Sequence, residues 1–249
     1  KQEYSEEAAT EVKELIKQQT PFNKGLYVDI LKEVHKKYIE SKDHFEDIIL
    51  SPLPFLKIQT PIPFQEMYDE AARLIPFFVK HRDMWNWESL CLWGLSHAHT
   101  GVPEDYGMIE SDELEDEYMD WTDMSKFCPI TKNWLLHDFG HENFTRVRFM
   151  LLNPGGYILP HTDNDRCEMV AINIALNMPA KCDFVVDGFG PMPIDPGDIF
   201  LFNNSYDHFL FNDSTVPRIH MIIYGIRKQK WWKEKIANGL LHAYNLYVK

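Results

Sequence analysis

From Phe144 onward the sequence breaks into short runs dominated by Val, Ile, Leu, Phe and Tyr: TRVRFMLL, GYILPH, EMVAINIAL, CDFVVDG, DIFLFNN, DHFLFN and RIHMIIYGI. Between them stand turn-forming stretches, among them NPGG, NMPAK, GFGPMPIDPGD and NDSTVP. β-Branched and aromatic residues suit a pleated, half-buried surface, and Pro, Gly and Asn end each run before a helix could form. A chain of such runs buries its apolar faces only by packing sheet on sheet, so the pattern predicts a sandwich or a jelly roll.

The first third has another texture. Residues 3–19 and 24–40 carry apolar positions at helical spacing (Leu26, Ile30, Leu31, Val34, Tyr38), separated by TPFNKG. Residues 51–63 are proline-rich and read as an extended connection, and a helical pattern resumes from Phe64 to Arg82, interrupted at Pro76. The expected organisation is one domain over 1–249. It has a mainly helical N-terminal region over 1–100, a β core over 144–227 and a closing helix over 228–249. With 249 residues, 45% of them hydrophobic and 25% charged, the chain can bury one sizeable core.

The net charge of -13 argues against affinity for nucleic acid or an anionic membrane, because neutralising phosphate needs clustered Lys and Arg. No run of eighteen apolar residues occurs, and Cys91, Cys128, Cys167 and Cys182 form no C-x-x-C pair. The expectation is a soluble cytoplasmic protein with reduced thiols. The sequons at Asn143, Asn203 and Asn212 carry little weight without a secretory signal. Residues 103–123 hold ten acidic residues and no basic one, which suits either a solvated acidic face or a docking surface for a basic partner.

Chemistry concentrates in NPGGYILPHTDNDR, Asn153 to Arg166. His161 and Asp163 are two residues apart, so a strand would aim both side chains to one side. His208, in DIFLFNNSYDHFLFN, is the candidate third partner from a distant strand. Two imidazoles and one carboxylate form the facial triad that suits Fe(II) in oxygenases, leaving open positions for a co-substrate and dioxygen (O2). Arg218 follows His208 by ten residues (218 - 208 = 10) at the entry of the next run. Its guanidinium offers the bidentate fork that an anionic co-substrate such as 2-oxoglutarate needs. A neighbouring antiparallel strand would bring it near the metal.

In this order and spacing the segment from Asn153 to Gly225 resembles the 2-oxoglutarate/Fe(II)-dependent oxygenase superfamily, and within it the aspartyl/asparaginyl β-hydroxylase-like family. Members show a Pro-Gly turn leading into His-x-Gly or His-x-Asp, then a phrase D-S-x-E-H, then an arginine ten residues beyond the second histidine. This chain has NPGGYILPHTD, NNSYDH and Arg218. The resemblance implies a mainly β fold with flanking helices, its core a double-stranded β-helix of jelly-roll, cupin-like form. It implies Fe(II) on His161, Asp163 and His208, and 2-oxoglutarate held by Arg218. Some members have Gly in place of the carboxylate; Asp163 implies a full triad here. Members also contact the co-substrate through an Arg and a His on the strand after the first motif. The His slot falls at Asn173, and Arg166 stands near but earlier than the Arg slot. The implied activity is hydroxylation of an amino-acid side chain, free or in a polypeptide, with release of succinate and CO2.

Blander readings stand beside these. A lone H-x-D is common, Arg218 alone could be a surface ion pair, and Asn173 a satisfied core amide. His97 and His99 in HAH, and His137 and His141 in HDFGH, have ligand-like spacing but no carboxylate in a matching order. Trp85, Trp87, Trp93, Trp231 and Trp232 suit either a substrate groove or the core. Cys167 and Cys182 lack the neighbours of a nucleophile. The alternative function is a cupin-like metal-binding module without oxygenase activity, which would have no use for a fixed cation at Arg218.

Overall fold

The computed structural model describes residues 5–41, 50, 52–81, 85–100, 119–163 and 172–249. Two helices open the chain, α1 (Glu6–Gln18) and α2 (Lys24–Glu40). Each begins where a side chain takes up an orphan backbone N–H: Ser5 accepts from Ala8 at 3.1 Å and Asn23 accepts from Leu26 at 3.1 Å. Glu6 and Glu7 in the first turn of α1 add favourable charge at the positive end of its dipole.

The proline-rich connection contains a strand, β1 (Phe55–Ile58), followed by α3 (Phe64–Arg73) and a short 3₁₀ turn at Pro76. Strands β2 (Val79–Lys80) and β3 (Trp87–Gly94) also lie in the region expected to be mainly helical. β4 (Asp120–Trp121) and α4 (Pro129–His137) precede the β core. Glu70 of α3, 1% exposed, caps α4: its carboxylate accepts from the N–H of Ile130 and of Thr131 and from the Thr131 hydroxyl, at 2.7–2.9 Å. Three donors at a helix N-terminus offset the cost of burying that carboxylate.

The core strands are β5 (His141–Leu152), β6 (Tyr157–His161), β7 (Ile172–Ala175), β8 (Phe184–Val186), β9 (Gly190–Pro191), β10 (Ile199–Phe202), β11 (His208–Phe211) and β12 (Arg218–Arg227). Helix α5 (Gln229–Tyr247) ends the chain. All pairings are antiparallel. The large sheet runs β1-β10-β7-β12-β5-β3-β2, with β4 on β3, and the small sheet runs β6-β11-β8-β9. From β5 to β12 successive strands cross between sheets, except that β8 and β9 pair within the small one, which makes the core a double-stranded β-helix with flanking helices.

Alternation along the strands sorts the chemistry. On β12 and β5, Ile219, Met221, Ile223, Val147, Phe149 and Leu151 are buried in one apolar cluster with Leu31, Met67 and Leu240 of the helices. The even-numbered residues of β12, beginning Arg218 and His220, face the other way. Helix α1 covers the outer face of the small sheet, where Ala9 and Val12 pack on Tyr157, Val185, Phe209 and Phe211.

His141, one of the HDFGH histidines, lies inside an aromatic stack. Its ring is parallel to Phe139 and Phe144, with centroids at 4.8 and 5.6 Å. Neither ring nitrogen has a hydrogen-bond partner among the described residues. Burial, reinforced by the cations of Arg227 and Lys228, pushes its pKa down to about 3 from the usual 6.5. The unfolded chain takes up a proton here between those values and the folded chain does not, so stability falls as pH drops through that window. His141→Phe removes the proton uptake and keeps the stack. The variant is expected to gain more in Tm over wild type at pH 5 than at pH 8, as thermal melts across that range would show.

A candidate Fe(II) and 2-oxoglutarate site between the sheets

The NPGG turn does more than reverse the chain. Gly155 has φ 76°, a conformation costly for any side chain, and a Cβ on Gly156 would stand 2.9 Å from the Asn153 carbonyl oxygen. Gly155 N–H donates to the Asn212 carbonyl at 2.8 Å, and Asn212 N–H donates to the Gly156 carbonyl at 2.9 Å. The turn entering β6 is thus tied to the end of β11. Along the ladder between them, His208 stands opposite His161.

Asn212 is fully buried and uses its side chain as fully as its backbone. It donates to the carbonyls of Leu152 and Val216, each at 2.9 Å, and accepts from the N–H and hydroxyl of Ser214. Asn203, also fully buried, accepts in the same way from Ser205 at the turn before β11. Two of the sequons are therefore side-chain-built turns flanking the strand that carries His208. Their N-x-S repeat on either side of one run was the signal available in the sequence.

The two imidazoles are oriented by one device. His161 Nδ1 lies 2.8 Å from the Leu159 carbonyl, and His208 Nδ1 lies 3.0 Å from the Tyr206 carbonyl. A carbonyl only accepts, so each Nδ1 carries the proton and each Nε2 keeps its lone pair for a metal. Strand β6 ends at His161, and Asp163 is held just beyond it by its N–H donating to the Asn204 carbonyl at 3.0 Å. One carboxylate oxygen lies 3.4 Å from His161 Nε2 and the other 3.7 Å from His208 Nε2.

One potential ligand atom from each residue lies within 4.8 Å of the other two, the one such group of three found among the described residues. Neighbouring ligands with bonds of about 2.1 Å to a first-row divalent ion stand about 3 Å apart, so the donor set fits Fe(II) after a small contraction. Burial, then His161, lowers the pKa of His208, which favours the neutral ligand form.

Arg218 reaches this region from the other sheet. β11 and β12 are consecutive, but β12 pairs with β5 and β7 in the large sheet. The expected adjacent-strand approach gives way to an approach across the sheet interface, because the turn at 212–217 crosses between layers. Asn177 braces the entry to β12, donating to the Pro217 carbonyl and accepting from Ile219 N–H on either side of Arg218.

The Arg218 guanidinium sits 5.9 Å from the centroid of the Phe184 ring, whose edge-on neighbour His208 is 5.8 Å away. Phe202 of the large sheet contacts both Phe184 and His208. These two aromatic rings supply an apolar wall beside His208, with Phe184 also next to the cation. Arg218 is 3% exposed, and no carboxylate among the described residues pairs with it.

Asn173 stands opposite Ile222 on β12, on the Arg218 and His220 face but four residues along from Arg218 (222 - 218 = 4). Arg166, Cys167 and residues 103–118 of the acidic segment lie outside the described residues. Cys182 is a buried thiol beside Arg218, pushed up to about 11 by burial, and no nucleophile at neutral pH. His99 Nδ1 lies 2.7 Å from the Ser96 hydroxyl, and neither HAH nor HDFGH joins a metal-ligating group among the described residues.

The family model for aspartyl/asparaginyl β-hydroxylase matches residues 64–228. The chain belongs to the aspartyl/asparaginyl β-hydroxylase family. It is an enzyme, a 2-oxoglutarate- and Fe(II)-dependent dioxygenase that hydroxylates amino-acid side chains, and the metal-binding module without oxygenase activity is not favoured.

No curated protein matches significantly. Solved structures similar to it include a prolyl-4-hydroxylase from Pseudomonas putida, 14% identical over 70% of this chain and 93% of that one, with TM-score 0.38. A viral collagen prolyl hydroxylase from Paramecium Bursaria Chlorella virus-1, a 2-oxoglutarate complex, is 17% identical over 69% and 94%, with TM-score 0.37. HygX from Streptomyces hygroscopicus, with nickel and 2-oxoglutarate bound, is 13% identical over 70% and 83%, with TM-score 0.41. Among the described residues of the hydroxylase no helix is long and apolar enough to cross a membrane.

Asn212→Ala deletes four side-chain hydrogen bonds at a fully buried position and is expected to lower unfolding free energy by about 3 kcal/mol. Asp213→Ala, at the exposed neighbour, is expected to stay within about 0.5 kcal/mol. Urea denaturation of the two variants measures the contrast.

Proposed function

We propose that His161, Asp163 and His208 are the iron ligands of this hydroxylase and that Arg218 receives the far carboxylate of 2-oxoglutarate. The observation that carries the assignment is the convergence of three ligand atoms, with both histidine Nδ1 positions committed to carbonyls, near a buried arginine that has no carboxylate partner among the described residues. Fe(II) in that site, with 2-oxoglutarate and dioxygen, supplies the oxidising chemistry that hydroxylates an unactivated C–H bond and releases succinate and CO2.

The chain's own contribution is placement and exclusion. The Leu159 and Tyr206 carbonyls fix the two rings, and the Asn204 carbonyl holds the backbone of Asp163. Phe184 and Phe202 pack edge-on against His208, and an apolar wall of this kind strengthens electrostatic contacts beside it. The Arg218 fork sets the direction of a dicarboxylate by taking its far end. Asn173, on the same sheet face, is the proposed polar contact further along the co-substrate wall.

The proposed substrate is an amino-acid side chain, in a free amino acid or in a polypeptide. The negative net charge supports a cationic target through long-range attraction and disfavours nucleic acid. Buried free thiols at Cys91, Cys128 and Cys182 suit a reducing compartment, and the proposed location is the cytoplasm.

Binding of Fe(II) together with 2-oxoglutarate is expected to raise Tm by mass action. His161→Ala and His208→Ala are each expected to abolish that rise, and Arg218→Ala to weaken 2-oxoglutarate binding at least tenfold while metal binding is retained. Unchanged metal binding in both histidine variants would sink the ligand assignment. A screen of free amino acids and peptides, read as succinate formed, identifies the substrate class.

A further inference from the structure

Arg218 is held by an unusual partner. Its Nη1 donates to Nδ1 of His220 at 2.9 Å, two residues along the same face of β12. His220 is itself 7% exposed, and Arg218 Nε is buried with no hydrogen-bond partner among the described residues. A guanidinium only donates, so His220 Nδ1 must present its lone pair and the proton of the neutral ring sits on Nε2. Burial, then the nearby charges of Arg218, Arg148 and His81, hold the imidazole pKa well below 6.5, so the ring stays neutral.

The choice of a neutral acceptor has an electrostatic consequence. An Asp or Glu at this position would orient the guanidinium equally well but would also cancel its charge. A neutral imidazole fixes the fork and leaves the whole positive charge for an incoming anion, in a buried setting where that charge acts strongly.

We propose that His220 is a positioning residue for co-substrate binding: it orients the Arg218 guanidinium through Nδ1 without neutralising it, so that the fork remains available to the far carboxylate of a 2-oxo dicarboxylate. The inference rests on the proposed role of Arg218.

The test uses the full chain loaded with Mn(II), titrated with 2-oxoglutarate and with 2-oxobutyrate, which lacks the far carboxylate. Mn(II) affinity is measured separately. His220→Asn places Oδ1 where Nδ1 stood and is expected to bind 2-oxoglutarate within about threefold of wild type. His220→Leu removes the acceptor, and a loss of about tenfold is expected, the size of one charge-assisted hydrogen bond. His220→Asp keeps an acceptor but adds the charge. It is expected to lose at least as much as His220→Leu, and its preference for 2-oxoglutarate over 2-oxobutyrate is expected to collapse.

Mn(II) affinity should be unchanged throughout, a pattern that a purely structural role would not produce. Wild-type binding by His220→Leu, or equal binding by the Asp and Asn variants, overturns the proposal. If the Leu variant does not fold, the comparison of Asp with Asn decides. Arg218→Ala separates the layers: wild-type 2-oxoglutarate binding there removes the Arg218 assignment itself. Weakened binding in that variant beside an unaffected His220→Leu removes only the role of His220.

Discussion

The site depends on one register, the pairing that sets His208 of β11 opposite His161 of β6. A slip of one residue in either strand would turn one imidazole to the outer face of the small sheet, under α1. Asn212 guards against that slip. Its backbone closes two hydrogen bonds with the NPGG turn, and its side chain ties the β5 and β12 ends to the same point. The turn glycines are required for two reasons, a positive φ at Gly155 and a close backbone approach at Gly156. A structural junction of four chain segments and the geometry of the proposed metal ligands are in this way the same constraint.

Around that register the two sheets divide the labour. The small sheet presents the histidines, and the large sheet presents a cation with no carboxylate beside it among the described residues. Burying a charge without a counter-ion is costly unless something else completes it. In the proposed role of Arg218 the counter-ion is the far carboxylate of the co-substrate, and burial of the cation then favours a dicarboxylate. Phe184 neighbours both Arg218 and His208 and adds an apolar surface to the region they share.

Some of this was legible before any coordinates. Period-two alternation in RIHMIIYGI marks a strand with an apolar face and a polar face, and the structure uses both. H-x-D, the second histidine and the arginine ten residues on stood out as a candidate site because ligand chemistry restricts residue type, and the structure brings the first three together. Other parts were not. Phe55–Ile58 read as a proline-rich connection, and it is a strand because its partner is β10, with Phe55 opposite Phe202. Its prolines precede it at an edge of the sheet, where a missing N–H costs little. Asn203 and Asn212 read as sequons of little weight and Asn177 as part of a turn, since nothing local says which carbonyls a buried amide will meet.

The amino-acid order by itself determined the two-faced strands, the glycine turn, the capped opening helices and the residue types of the candidate metal ligands, because each is set by periodicity or by the bonding capacity of the side chain. The tertiary structure decided that β11 and β12 fall in different sheets, so that Arg218 meets the triad across an interface, and that its partner is a neutral His220. Both outcomes depend on contacts between segments far apart in the chain, whose energies appear only once the layers have packed.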